Sequence, residues 1–164
     1  MLAAYQKLLD WSKKNKVDNK KFLDKLKKQK PQHLDRLIQD LNDSAFSEID
    51  CLQCTNCCRT TGPLLLNKDI DRLAKELKIR PATFTENYLK IDEDKDYVFK
   101  SMPCMFLGSD HYCKVYEARP NACREYPHTH QRDQLQKLPL TFQNSLICPA
   151  VAKVLMELKT EKLV

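Results

Sequence analysis

Four of the eight cysteines stand within eight residues, Cys51-Leu52-Gln53-Cys54-Thr55-Asn56-Cys57-Cys58. Nothing else in the chain constrains its fold as strongly, because sulfurs this close are either cross-linked or share a metal. The others follow as Cys104, Cys113, Cys123 and Cys148, and the first fifty residues contain none. Prolines shape the backbone beside them, in Pro103-Cys104, Cys123-Arg124-Glu125-Tyr126-Pro127 and Cys148-Pro149.

Compartment argues against disulfides. Residues 1–10 offer Leu2, Leu8 and Leu9 but no continuous apolar run, since Lys7 and Asp10 interrupt it, so no secretory signal is expected. A cytoplasmic chain meets a reducing pool in which stable disulfides are rare. Two-residue spacings in tandem also suit a chelate, because each turn brings the next sulfur round to the same centre. Metal is the expected partner of the thiols.

Spacing leaves the metal open. Cys51, Cys54 and Cys57 reproduce the C-x2-C-x2-C run that wraps three corners of a [4Fe–4S] cluster, and Cys148-Pro149 supplies a distant Cys-Pro. Tetrahedral zinc would take four thiolates at about 2.3 Å, commonly as two separated pairs. Adjacent Cys57 and Cys58 suit one mononuclear ion poorly, so they serve different centres or one is a spare. The eight cysteines are enough for two four-thiolate sites, or for one cluster with a second set beside it. The four distant cysteines are expected to lie inside the domain, near one another or near the first run. The Cys148 sulfur is expected at a helix start, where free N–H groups favour a thiolate.

The run Cys51-x2-Cys54-x2-Cys57-Cys58 is followed by Cys104-Met105-Phe106-Leu107. After it comes Cys113-Lys114-Val115-Tyr116-Glu117-Ala118-Arg119-Pro120-Asn121-Ala122-Cys123-Arg124-Glu125-Tyr126-Pro127. This pattern resembles the CxxCxxCC or YkgJ-type cysteine-cluster family over about residues 51–149, with 64–89 similar to its segment of two short helices ending on Tyr. The resemblance implies a zinc- or iron-chelating domain of mainly bacterial proteins, most without an assigned reaction. It further implies relatives that act in flagellin lysine methylation with iron–sulfur clusters.

The 164 residues suffice for one domain with a helical extension. Only Gly62 and Gly108 are glycines, and neither a G-x-G-x-x-G nor a Walker pattern occurs, so a nucleotide fold has no support. No apolar run approaches the ~20 residues that span a bilayer, and no membrane association is expected.

Residues 1–50 have helical periodicity and contain no linker composition, so they are expected to form a helical cap on a cysteine domain of residues 51–164. Leu2, Tyr5, Leu8 and Leu9 share a face, and Asp18 is a candidate N-cap for Phe22, Leu23 and Leu26. Pro31 suits the first turn of a helix carrying Leu34, Leu37, Ile38 and Leu41. Nine lysines fall between Lys13 and Lys30 against Asp18 and Asp24, but no arginine does. A solvated helix face explains them better than a phosphate-binding one, and specific nucleic acid is not an expected partner. Eight thiolates carrying two divalent ions would also lower the formal net charge from +6 to about +2.

Beyond the run, Leu64-Leu65-Leu66 is expected to be buried and Asn67 to cap a helix with Ile70, Leu73, Ala74 and Leu77 inward. Pro81 opens another with Phe84, Tyr88 and Leu89, and residues 91–96 form an acidic turn. Tyr97-Val98-Phe99-Lys100 and Tyr112-Cys113-Lys114-Val115-Tyr116 have strand character, and a β-hairpin between them would bring Cys104 and Cys113 together. Residues 117–126 suggest a short helix, 131–145 give no pattern, and 149–163 suggest a final helix. His128 and His130 are better placed as loop residues than as ligands. Arg119 and Arg124 bracket Cys123 and suit either its thiolate or Glu117 and Glu125.

The expected fold is therefore α+β and mainly helical, a small cysteine-rich metal-binding domain with an N-terminal helical cap and a short β-hairpin. Three functions remain open. The leading one is a zinc or iron centre, structural or redox-active. The second, from the resemblance, is an iron–sulfur enzyme or accessory in protein modification. The third is a zinc-stabilised module that binds an acidic protein partner through the lysine-rich helix. No acid–base pair or substrate pocket is evident in the sequence.

Overall fold

The computed structural model describes residues 1–161, which are mainly helical with one small antiparallel sheet. The chain forms two compact units, Met1–Cys54 with Pro127–Val164, and Thr55–Tyr126. The first boundary falls inside the cysteine run.

The first unit is built of helices. Helix α1 (Ala3–Lys14) buries Tyr5, Leu9 and Ser12, and α2 (Lys16–Gln29) buries Asn19, Leu23 and Leu26. The helix expected to begin at Asp18 starts at Lys16 instead. Asn15, whose N–H and side chain both bond the Trp11 carbonyl, is the only break between α1 and α2. Helix α3 (Leu34–Glu48) buries Leu34, Ile38, Asn42 and Ala45, and Pro31 lies in the turn before it rather than in its first turn. Helix α4 (Cys51–Cys54) is one turn, started by the Asp50 side chain, which accepts the Leu52 N–H at 2.9 Å.

Helix α10 (Pro149–Leu158) is the hub, packing against α1, α3 and α9. It buries Ala150, Val151, Ala152, Val154, Leu155 and Leu158, and each large side chain contributes about 1.5–3 kcal/mol. It ends at Leu158, short of the expected 163, and Leu163 lies outside the described residues.

The segment that gave no pattern is helix α9 (Gln134–Ser145). Four of its six buried residues are polar (Gln134, Thr141, Asn144 and Ser145), and Pro139 interrupts it from the exposed side. Its first N–H groups are capped from α3, where the Asp35 carboxylate accepts from both Asp133 and Gln134 at 2.8 Å. Such a cap leaves no local signature.

The second unit contains α5 (Asn56–Thr60), β1 (Leu64–Leu65), α6 (Asn67–Glu76), α7 (Pro81–Tyr88), β2 (Leu89–Ile91), β3 (Tyr97–Phe99), a 3₁₀ turn (Tyr116–Ala118) and α8 (Asn121–Glu125). Strand β3 lies between β1 and β2, with Val98 opposite Leu64 and Lys90. The hairpin is therefore β2–β3, closed by the Asp92 side chain, which accepts the Asp94 and Asp96 N–H groups. The expected pairing of 97–100 with 112–116 does not form, because β3 already has both partners and Cys113 makes only an isolated bridge to Leu107. Of Leu64-Leu65-Leu66 only Leu65 is buried, as strand alternation requires.

The core of this unit joins Leu65, Ile70, Leu73, Phe84, Leu89, Phe99, Phe106 and Val115. Phe106 is its centre, with ring centroids 5.5 Å from Tyr88, 5.6 Å from Phe99 and 6.4 Å from Phe84. Cys104, Met105 and Cys113 pack against this core.

Candidate metal centre

Five thiols belong to the second unit. Cys57 and Cys58 lie on α5, their sulfurs 4.0 Å apart, and Cys104 is tied to them by its N–H on the Cys58 carbonyl at 2.8 Å. Between Cys104 and Cys113 the chain folds back tightly, with the Gly108 N–H on the Tyr112 carbonyl at 2.7 Å. A Cβ at Gly108 would stand 2.4 Å from the Asp110 carboxylate and 3.2 Å from the Tyr112 carbonyl, so a side chain here would displace the Asp110 carboxylate and crowd the turn.

Cys123 is carried by α8, which is held from α6. Buried Asp69 accepts the Asn121 N–H at 2.9 Å and pairs with Arg72 at 2.5 Å. Arg72 donates in turn to the Ala118 and Arg119 carbonyls. Sequence reasoning missed Asp69. Its signal was an acid three residues after Leu66, where it also accepts the Leu66 N–H at 3.0 Å and starts α6. Asn67, the expected cap, is instead the first helical residue.

Electrostatics place four of these thiols in one neighbourhood. Cys58 is pulled down to about 7, chiefly by a hydrogen bond from Cys57 and then by Arg59 and Arg119, against the cost of its burial. Burial raises Cys104, which also feels Cys58 and Cys113 while the Phe106 N–H favours its thiolate. Burial likewise raises Cys113, which feels Cys58 and receives the Val115 N–H. Cys123 is exposed as a residue, yet its thiol is raised, first by desolvation and then by Cys58, Cys104 and Cys113. Thiolates that repel one another this way are stabilised by a cation among them.

The first unit contains Cys51, Cys54 and Cys148. Cys51 and Cys54 begin and end α4, three residues apart and so on one helix face, and the Cys54 sulfur lies 4.0 Å from the Met1 thioether. Cys148 is the N-cap of α10 and is pushed up to about 12 by burial and by the charges of Cys51 and Cys54. The N–H groups of Ala150 and Val151 face its sulfur and favour the thiolate, too loosely for a formed side-chain cap.

Among the described residues no three Cys, His, Asp or Glu side chains already converge as a ligand set. The donors nevertheless fit a soft or borderline metal: clustered thiols, with backbone N–H groups turned toward several of the sulfurs.

The other expected residues are placed as follows. Arg124 bonds backbone carbonyls, those of Arg119 and Glu117. Arg119 stacks over Tyr116 and acts electrostatically on Cys58, Cys113 and Cys123. His128 and His130 lie in the other unit, where the His128 carbonyl accepts from Gln134. All nine lysines between Lys13 and Lys30 are exposed. No helix among the described residues is long and apolar enough to cross a membrane.

Comparison with known proteins gives one match. The model of the CxxCxxCC family, described as "Putative zinc- or iron-chelating domain", covers residues 50–143, more than half of the chain. Seven of the eight cysteines fall inside the match and Cys148 falls outside it. No curated protein and no solved structure matches the chain.

Proposed function

This chain belongs to the CxxCxxCC family, and from that premise we propose that Thr55–Tyr126 binds one zinc or iron ion through Cys58, Cys104, Cys113 and Cys123. The observation that carries this reading is that hydrogen bonds tie the segments bearing these thiols to their neighbours: the Cys104 N–H on the Cys58 carbonyl at 2.8 Å, Cys113 bridged to Leu107, and α8 held on Asp69. The electrostatic influence of the thiols on one another agrees with it. Cys58, ionised in part near neutral pH, offers the first thiolate, and the other three give up protons as the ion enters. When bound, the ion supplies a cross-link between segments that share few hydrogen bonds, so its role is structural in the first place.

Cys51, Cys54 and Cys148 form a second, three-thiol group in the other unit, supported by the influence of the first two on Cys148. Three protein ligands leave one position open on a tetrahedral ion, the arrangement of a reactive rather than a purely structural centre.

Anaerobic purification with elemental analysis and an absorption spectrum tests the reading. Colourless protein with stoichiometric zinc, or charge-transfer bands with iron, supports it. Acid-labile sulfide alongside the iron would select an iron–sulfur cluster over a single ion. Protein that emerges without metal, and with all eight thiols freely reactive, overturns it.

A further inference from the structure

Arg119 lies between Cys113 and Cys123 in sequence, and its backbone is fixed twice. Its carbonyl accepts from Arg72 Nη2 at 2.8 Å and from Arg124 Nε at 3.3 Å. The side chain is held as well, with the guanidinium carbon 3.7 Å from the centre of the Tyr116 ring. In this pose Nε is shut off from solvent and has no hydrogen-bond partner among the described residues. A buried donor without an acceptor is costly, and guanidinium donors are rarely left so.

We propose that Arg119 serves the metal-loaded state, donating from Nε to the metal-bound thiolates of the Cys58, Cys113 and Cys123 group, a contact that the metal-free fold does not make. A protonated thiol accepts weakly, whereas a thiolate is a charged acceptor. Entry of the ion turns the first into the second and so supplies the partner that Nε lacks. The same charge offsets part of the negative charge of four thiolates around a divalent ion. That its field already favours the ionised forms of Cys58, Cys113 and Cys123 agrees with this placement. Arg119 is thus a positioning residue that acts through the ligands, and the inference rests on the metal reading above.

The test compares zinc affinity, by competition with a chromophoric chelator, and thermal melting with and without zinc. It uses the parent, Arg119→Gln, Arg119→Lys and Tyr116→Leu. Arg119→Gln is expected to weaken zinc binding about 10–100-fold, the usual effect of losing a donor behind a metal ligand. Its metal-free melting should stay close to the parent's, because the lost Tyr116 ring contact is offset by removal of an unsatisfied donor. Arg119→Lys keeps the charge without the planar fork and should recover part of the affinity. Tyr116→Leu, at a residue 49% exposed, should bind within a few-fold of the parent. Equal affinity of Arg119→Gln and the parent would overturn the proposal. So would equal destabilisation of the free and loaded forms, or a loss in Tyr116→Leu matching that in Arg119→Gln. A parent that takes up no zinc would sink the metal reading itself, and this inference with it.

Discussion

The two units hold their cysteines by different means. In Met1–Cys54 with Pro127–Val164, the sulfurs sit at the ends of α4 and at the start of α10, the apolar hub of that unit. In Thr55–Tyr126 no helix exceeds ten residues and no strand exceeds three, and its five cysteines lie on five-residue helices, in a loop or at an isolated bridge. Units this small are marginal on burial alone. On the reading proposed above, the first unit's core stands without metal and the second uses the ion to close it. The contrast gives graded expectations.

The largest effect is expected from the second unit's thiols. Cys113→Ser should forfeit most of the roughly 10 kcal/mol that a structural zinc contributes at neutral pH. Hydrogen exchange would register this as lost protection across β1–β3 and α6, with α10 amides retaining theirs. Uniform loss in both units would break the comparison.

Next come the two cores. Phe106→Ala should cost about 3–5 kcal/mol and also weaken metal uptake, because Cys104 and Cys113 rest on that cluster. Leu155→Ala in α10 should cost about 2–5 kcal/mol in denaturant melts and leave the zinc affinity of Cys58, Cys104, Cys113 and Cys123 unchanged.

A smaller effect is expected of Asp35→Ala, which removes the cap of α9. About 1 kcal/mol should be lost in chemical denaturation, with metal content intact. The smallest belongs to the exposed lysines. Reversing Lys20, Lys21, Lys27 and Lys28 to Glu should change stability by no more than about 0.5 kcal/mol per site and leave metal content as in the parent. Tight, sequence-selective nucleic-acid binding that the reversal abolishes would contradict the solvated-face reading.

Where order was local, it was legible in the sequence. The stripes of α1, α3, α6 and α10, and the opening prolines of α7 and α10, each declared a helix. The family resemblance was likewise legible, in the cysteine run together with the Cys104–Leu107 and Cys113–Pro127 segments. What stayed hidden depends on partners far along the chain. Helix α9 is capped by Asp35 and buries Gln134 and Asn144, which look like surface residues until Asn144 is seen bonding the Pro127 carbonyl. β3 took partners from 64–65 and 89–91, because strand character at 112–116 says nothing about which edge is vacant. The place of α8, on which the proposed grouping of thiols across 58–123 depends, could not be read from spacing, since Asp69 and Arg72 are what set it.

X-ray absorption at the metal edge tests the central claim most directly. The protein would be purified anaerobically and carry Cys51→Ser and Cys148→Ser, which breaks the first unit's three-thiol group and leaves the second unit's thiols, Cys58, Cys104, Cys113 and Cys123 among them, intact. One ion per chain with four sulfur neighbours at about 2.3 Å is the predicted result for zinc. A metal-free protein, or an ion ringed mainly by nitrogen and oxygen, would contradict the account.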